Sequence, residues 1–368
     1  MPASCSPKVR EVAVMDRLVV GSTSRGAGKT SLLVGIARAL GGKLVYRKPF
    51  GDRLVYRRKV ARDHDAALLA ALFGLSDRPE EATLGFEHVK LRYMYDDETR
   101  AARLREMVPQ GDSGPLLVEA GADLACGASV GLDAVSLARD LAARLLLVAA
   151  GSENQVMDEL AFVRRRLDLR GVELAGVVAN KMRDVENFRT AHAPELERLG
   201  LPVLGVVPFH EPLTRPSVAF VVERLFGKVL TGDEALGRPV QNVFIGAMSA
   251  DVAFRSPLFR HPGKLILTSG DRSDMVLAAL EGDTACVVLT NNVMPPANIV
   301  ARAAERGVPL VLVSQDTFQA AKQVDDLEPL LTAGEAEKVE LLGRTVAEAV
   351  RLDRLLPGTP LPRAAGGA

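Results

Sequence analysis

The chain has no tryptophan, and its other aromatics, 12 phenylalanines and 4 tyrosines, make up only 4% of its 368 residues. Single-strand nucleic-acid binders stack bases on rings, so such a role has little support. The three cysteines, Cys5, Cys126 and Cys286, lie far apart. They form neither a disulfide framework nor a metal-binding spacing, and a reducing cytoplasm suits them. Net charge is absent too, with 46 basic against 46 acidic residues. Extended binding to a phosphate backbone would need a basic excess. The densest basic run, Arg164-Arg165-Arg166, reads as a solvated helix face. No apolar run approaches bilayer-spanning length, and Met1 to Asp16 lacks the apolar core of a signal peptide. Nucleic acid and membrane are therefore not expected partners.

What is present is a phosphate-binding loop. Leu18-Val19-Val20 reads as a strand entering Gly21-Ser22-Thr23-Ser24-Arg25-Gly26-Ala27-Gly28-Lys29-Thr30, and a helical pattern follows through Leu33, Ile36 and Leu40. Small residues let backbone N–H groups turn inward on an anion, and a helix N-terminus adds its positive dipole end. Gly26 and Gly28 shape the turn, Lys29 can reach the β- and γ-phosphates, and the Thr30 hydroxyl can sit on Mg²⁺. ATP and Mg²⁺ are the expected cofactors. The first glycine of the usual spacing is replaced by Thr23. A chance Gly-Lys-Thr at a helix start is the competing reading, and the strand before and helix after argue against it.

Apolar runs alternate with helical patterns from Asp16 to about Phe226. Strands are expected at Arg17–Val20, Lys43–Arg47, Leu116–Glu119, Leu145–Ala149, Leu174–Ala179 and Val203–Val207. Continuous apolar strands between helices indicate a parallel sheet covered on both faces. The texture changes around Gly227–Pro239, which reads as connection. A second, smaller α/β block follows, with strands at Asn242–Ala247, Leu265–Thr268, Ala285–Leu289 and Leu310–Val313. Glu335–Leu355 is one more amphipathic helix, which could dock back or pair between chains. The resulting division is an extension at 1–15, a first domain at 16–226, a linker at 227–238, a second domain at 239–330, and a helix with a flexible tail at 331–368.

Lys48, in Lys48-Pro49-Phe50-Gly51, stands at the end of a strand beside the phosphate loop, where α/β sheets bind ligands. It could hold a carboxylate, a carbamate or a γ-phosphate, or be a lysine snorkelling off a strand end. Glu119 closes a buried strand, a costly position unless it meets a cation or donors. Mg²⁺ held by one or two carboxylates and phosphate oxygens would meet that cost. Asn180, in Gly176-Val177-Val178-Ala179-Asn180-Lys181, has an amide that can both donate and accept.

With Thr23 in the loop and Lys48-Pro49 after the second strand, the first domain resembles dethiobiotin synthetase, within the wider family that includes cobyrinic acid amide synthases. Of the two likenesses, the closer is to the dethiobiotin-synthetase-like amino-terminal region of long phosphotransacetylases, which it resembles also in the DRTGG domain that follows. The resemblance implies a P-loop NTPase-type α/β fold, a parallel sheet with helices on both faces, followed by a smaller α/β DRTGG domain. It implies a catalytic role for Lys29 and Lys48, and a Mg²⁺ site built from Thr30, Glu119 and an aspartate of Asp63-His64-Asp65, with Asp65 the better match to the family spacing. An N-cap aspartate fits that helix start equally well. For Asn180 the resemblance implies contact with the adenine edge, against a plain turn residue at a strand end. The family's Gly-Ala-Gly-Gly after the glutamate is Ala120-Gly121-Ala122-Asp123 here, which puts a diamino-acid substrate in doubt.

The DRTGG signature matches Gly270-Asp271-Arg272-Ser273-Asp274, with Asp274 and Met275 replacing the glycines. Ser249, Asp271 and Arg272 could together meet a phosphate, or serve as a cap and a surface ion pair. The chain stops near Leu356 without a further large domain, and on the resemblance this argues against acetyl transfer. The expectation is a Mg²⁺-ATP-binding protein with a regulatory second domain. It would turn ATP over slowly onto water or a small carboxylate or carbamate, or sense nucleotide without catalysis. On the family and the final helix, a dimer is expected.

Overall fold

A computed structural model describes residues 15–57, 59–109 and 114–361. The extension expected at 1–15 lies outside these apart from Met15, as do Cys5 and the end of the tail, 362–368. The chain divides into two compact units, residues 1–209 with 339–368, and residues 210–338.

The first unit is built on strands β1 (Arg17–Ser22), β2 (Val45–Arg47), a hairpin of β3 (Leu54–Arg57) and β4 (Val60–Asp63), then β5 (Leu116–Glu119), β6 (Arg144–Ala150), β7 (Leu174–Met182) and β8 (Val203–Pro208). Six of them form one sheet in the order β2-β5-β1-β6-β7-β8, parallel throughout. Its inner strands are buried on both faces, Leu18, Leu117, Val118 and Leu145 to Ala149 being inaccessible to solvent. That burial is why they read as unbroken apolar runs rather than alternating ones. The chain leaves β1 toward β2 on one side and later fills the other side with β6, β7 and β8. The end of β1 therefore lies at the switch point, where open α/β sheets form a crevice.

Helix α1 (Lys29–Ala39) follows the loop after β1 and buries Leu32, Leu33, Val34 and Ile36. Each such aliphatic side chain contributes about 1.5–3 kcal/mol. Helix α2 (His64–Phe73) follows the hairpin, which sequence patterning did not reveal. The C-terminal helix Ala336–Ala349 sets Val346 against α1, where a Cβ on Gly35 would lie 2.3 Å from its Cγ2. After it, the Arg351 N–H donates to the Leu204 carbonyl at 2.8 Å. Of the two readings of this segment, docking back is the one observed. The first residues of the expected flexible tail are also tied down: the Thr359 hydroxyl donates to Asp16 at 2.6 Å.

The second unit holds β9 (Lys228–Thr231), β10 (Asn242–Ile245), β11 (Lys264–Ser269), β12 (Thr284–Thr290) and β13 (Leu310–Leu312), in the order β10-β11-β12-β13-β9. All pairs are parallel except β13 with β9. The stretch expected to be a linker, 227–238, thus contains an edge strand. Its four residues are too short and too mixed to show a period of two. The helix Val218–Arg224, read with the first domain, packs Val218 and Val221 into the core of this second sheet. No helix among the described residues is long and apolar enough to cross a membrane.

Candidate functional site

Strand register decides which side chains converge at the carboxyl ends of the first sheet. Tyr46 is paired with Leu117 and Val20 with Glu119. Side chains two apart share a face, so Tyr46, Lys48, Glu119 and Ser22 all emerge on the same side. The loop after β1 crosses that edge and ends at Gly28, whose φ of +93° suits only glycine.

Lys29 folds into the loop instead of projecting to solvent. Its ammonium donates to Ser22 Oγ at 2.8 Å and to the Ala122 carbonyl at 2.9 Å, and the residue is 7% exposed. Burial lowers its pKa, with Glu119 opposing. The Thr30 hydroxyl donates to Glu119 Oε1 at 2.8 Å, and the Tyr46 hydroxyl donates to Glu119 Oε2 at 2.8 Å. Burial pushes the Glu119 carboxyl up to about 6, against the pull of Lys48. Thr23 donates its backbone N–H to the Val148 carbonyl at 3.0 Å, and its buried hydroxyl has no partner among the described residues.

Lys48 is buried, and its ammonium lies 2.5 Å from Asp65 Oδ2, 2.6 Å from Asp52 Oδ1 and 3.5 Å from Asp63 Oδ1. Burial alone would pull its pKa down, but Glu119 and the three aspartates outweigh it and hold it well above the usual lysine range. Asp65 faces burial as well, and Lys48, His64 and Arg53 together drive its pKa far below the ordinary carboxylate range. Asp63, not Asp65, caps α2, accepting from the Asp65 and Ala66 N–H groups at 2.9 and 3.4 Å. Its other oxygen accepts from the Asp52 and Arg53 N–H groups at 3.2 Å each. The cap reading of Asp63-His64-Asp65 thus holds for the first aspartate, while the second is Lys48's counter-ion.

Asn180 sits at the loop itself. Its Nδ2 donates to the Ala27 carbonyl at 2.8 Å, and Lys181 Nζ donates to the Gly26 carbonyl at 2.7 Å. Asp123, where the synthetases have glycine, accepts from the Ala125 and Cys126 N–H groups at 2.9 and 3.0 Å and closes a tight turn.

The oxygen set fits a magnesium ion. Adjacent ligands of a Mg²⁺ octahedron at 2.0–2.1 Å lie about 2.9 Å apart, and Thr30 Oγ1 and Glu119 Oε1 are 2.8 Å apart. Asp65, the other expected metal carboxylate, is engaged by Lys48 at 2.5 Å. Tyr46, Ser22, Asp52 and Lys181 escaped sequence reading. Only Tyr46 left a trace: a phenol two residues before Lys48 in a buried strand needs a partner for its hydroxyl.

In the second unit, Arg272 donates to the Met248 carbonyl at 2.7 Å and to Asp274 at 3.1 Å. Arg272, not Asp271, occupies the cap position of helix Ser273–Leu280, and Ser249 caps its helix without a side-chain bond.

A parallel sheet with a glycine loop closing on a buried lysine, and a carboxylate bonded to the loop threonine, defines a P-loop α/β nucleotide-binding fold. The chain belongs to the AAA domain family, matched over residues 16–217, and carries a DRTGG domain over 220–327. It is similar to the phosphate acetyltransferase of Pseudomonas putida, 27% identical over 363 residues that cover 90% of this chain and 50% of the relative. The enzyme of the same name from Nitrosomonas europaea is 24% identical over 368 residues, covering 93% and 51%. The chain thus spans about half the length of these curated relatives. Among solved structures it is similar to a ParA family ATPase from Chlorobium tepidum, at 14% identity and a TM-score of 0.36, covering 55% of this chain and 86% of that one. It is also similar to the CBS and DRTGG domains of the regulatory region of a Clostridium perfringens pyrophosphatase, at 17% identity and a TM-score of 0.28, covering 34% and 50%.

Proposed function

We propose that the first unit binds Mg²⁺-ATP and that the DRTGG-bearing unit makes this binding responsive to a small polar metabolite. The carrying observation is the 2.8 Å pairing of Thr30 with Glu119 beside the buried Lys29. Among the described residues, the hydrogen-bond partners of Lys29 are neutral oxygens, a hydroxyl and a carbonyl, which β- and γ-phosphate oxygens would replace with charge-assisted bonds. Thr30 and Glu119 would hold Mg²⁺, and the bound ion would offset charge on the phosphates.

Sensing fits the site better than ligation of a second substrate. Lys48 is 1% exposed and already faces three carboxylates. A lysine so committed neutralises the protein rather than an incoming carboxylate or carbamate. Turnover is then slow transfer to water. The resemblance to phosphate acetyltransferases suggests a regulatory place in acetyl-phosphate metabolism, in the cytoplasm and as a dimer.

Titration with a fluorescent ATP analogue, in Mg²⁺ and in EDTA, tests the reading. Mg²⁺-dependent binding that Lys29→Ala abolishes supports it; equal binding by that variant, or none by the wild type, ends it. Turnover stimulated by any member of a panel of carboxylic acids and diamines would restore ligation. Sedimentation of a monomer at micromolar concentration would remove the dimer.

A further inference from the structure

Glu119 can serve a metal only if its carboxylate is held toward Thr30, and a glutamate at a strand end has three rotatable bonds with which to turn away. Thr30 bonds one oxygen, Oε1, the one that would serve the ion. A grip that leaves Oε1 to the ion has to act on the other oxygen. Tyr46 is buried at 3% exposure on β2, diagonal to Glu119 across the β2–β5 pairing, with its hydroxyl 2.8 Å from Oε2. Its ring is buried, and its hydroxyl proton goes to this carboxylate.

We propose that Tyr46 is the positioning residue of the metal carboxylate: its hydroxyl pins Glu119 Oε2 so that Oε1 stays turned to Thr30 and to a divalent ion. This rests on the Mg²⁺-nucleotide reading above. Tyr46 touches neither ion nor phosphate and acts through Glu119. Partners of this kind, one shell behind a ligand, typically govern 10–100-fold in metal affinity.

The test compares the full chain with Tyr46→Phe, which keeps the ring and removes only the hydroxyl. The Mg²⁺ concentration for half-maximal binding of the fluorescent ATP analogue is expected to rise about tenfold or more, while affinity in EDTA stays within about twofold. In a Glu119→Gln background the same change is expected to leave the Mg²⁺ midpoint unmoved. A wild-type Mg²⁺ midpoint in Tyr46→Phe overturns the proposal. So does an equal shift in the Glu119→Gln background, because the tyrosine would then act on the fold and not on the carboxylate. A wild type whose nucleotide binding ignores Mg²⁺ would instead sink both this inference and the reading beneath it.

Discussion

The carboxyl ends of the two sheets carry similar chemistry in opposite ways. At the first sheet, Lys29, Lys48, Asp63, Asp65 and Glu119 are all buried, and their contacts span the sequence, Thr30 to Glu119 being 89 residues apart. At the second, Asp271 and Asp274 are exposed, and Arg272 pairs with a residue only two positions away. Burying a charge is costly unless it is paired, so the first set is an interlocked network in which each group requires the others. The second set is more exposed, its one ion pair is local, and it gives up little if one member is lost. A preorganised site for a highly charged ligand has the first character.

The comparison breaks most visibly at Lys48. Lys48→Ala leaves Asp52, Asp63 and Asp65 facing one another without their shared cation, and should cost about 3–5 kcal/mol. Urea denaturation monitored by circular dichroism would register this as a lowered midpoint. A near-neutral result would mean the three aspartates find other partners, and the interlock would be illusory. Next in size is Gly28→Ala. At φ +93° an added Cβ would lie 2.4 Å from Asn180 Nδ2, so the change strains the backbone and expels the amide. A loss of about 1–3 kcal/mol and of Mg²⁺-ATP binding is expected by the same melts and titrations.

Acid should act on Glu119 and Asp65 in opposite senses. The Glu119 pKa is raised to about 6 by burial, with Lys48 opposing. A raised folded-state pKa means that protonation favours the folded form. The stability linked to this group is full below the unfolded carboxylate range and is lost as pH rises through about 6. Metal binding has the reverse sense, because it needs the ionised carboxylate, so Mg²⁺-ATP affinity should fall as pH drops through about 6. Comparison with Glu119→Gln removes the nucleotide's own titration from the reading. If both proteins show one pH profile, Glu119 is not the ligand. Asp65, whose pKa is depressed by Lys48, His64 and Arg53 against its burial, contributes stability above the unfolded carboxylate range that is lost only in stronger acid.

Sequence carried the strands and the loop because both are local signals. An apolar run, a glycine turn and a helical period identify β1 and α1 wherever they occur. Lys48 and Glu119 were also legible, as charged residues at the ends of apolar strands. The aspartate partners of Lys48 were not. That Lys48 meets Asp65 depends on the hairpin β3–β4, which returns the chain to the sheet and which no periodicity in Arg53 to Asp63 announces. The edge strand β9 was missed for a similar reason: only its pairing with β13 makes it a strand.

Asn180 offers a finer test of the interlocked end. Its amide holds the Ala27 carbonyl at 2.8 Å, a clamp on the loop, whereas the resemblance implies contact with the base. The two roles predict different losses. Asn180→Ala should cost about 0.5–1.5 kcal/mol of stability through one buried hydrogen bond. As a clamp, it should weaken ATP and GTP binding alike. Were the base contact dominant, ATP would suffer alone and discrimination against GTP would collapse.

The smallest effect belongs to the second unit. Arg272 makes a short-range pair with Asp274 and one bond to a carbonyl, in a position where water can replace either. Exposed pairs of this kind contribute about 0–1 kcal/mol, so Arg272→Ala should leave the urea midpoint almost where it was. Salt should matter equally little to the difference. A large loss would show that Arg272 bridges more of the unit than its neighbours indicate. That result would make the second strand-end cluster a network like the first, and so a better candidate for a charged regulator than its exposure now suggests.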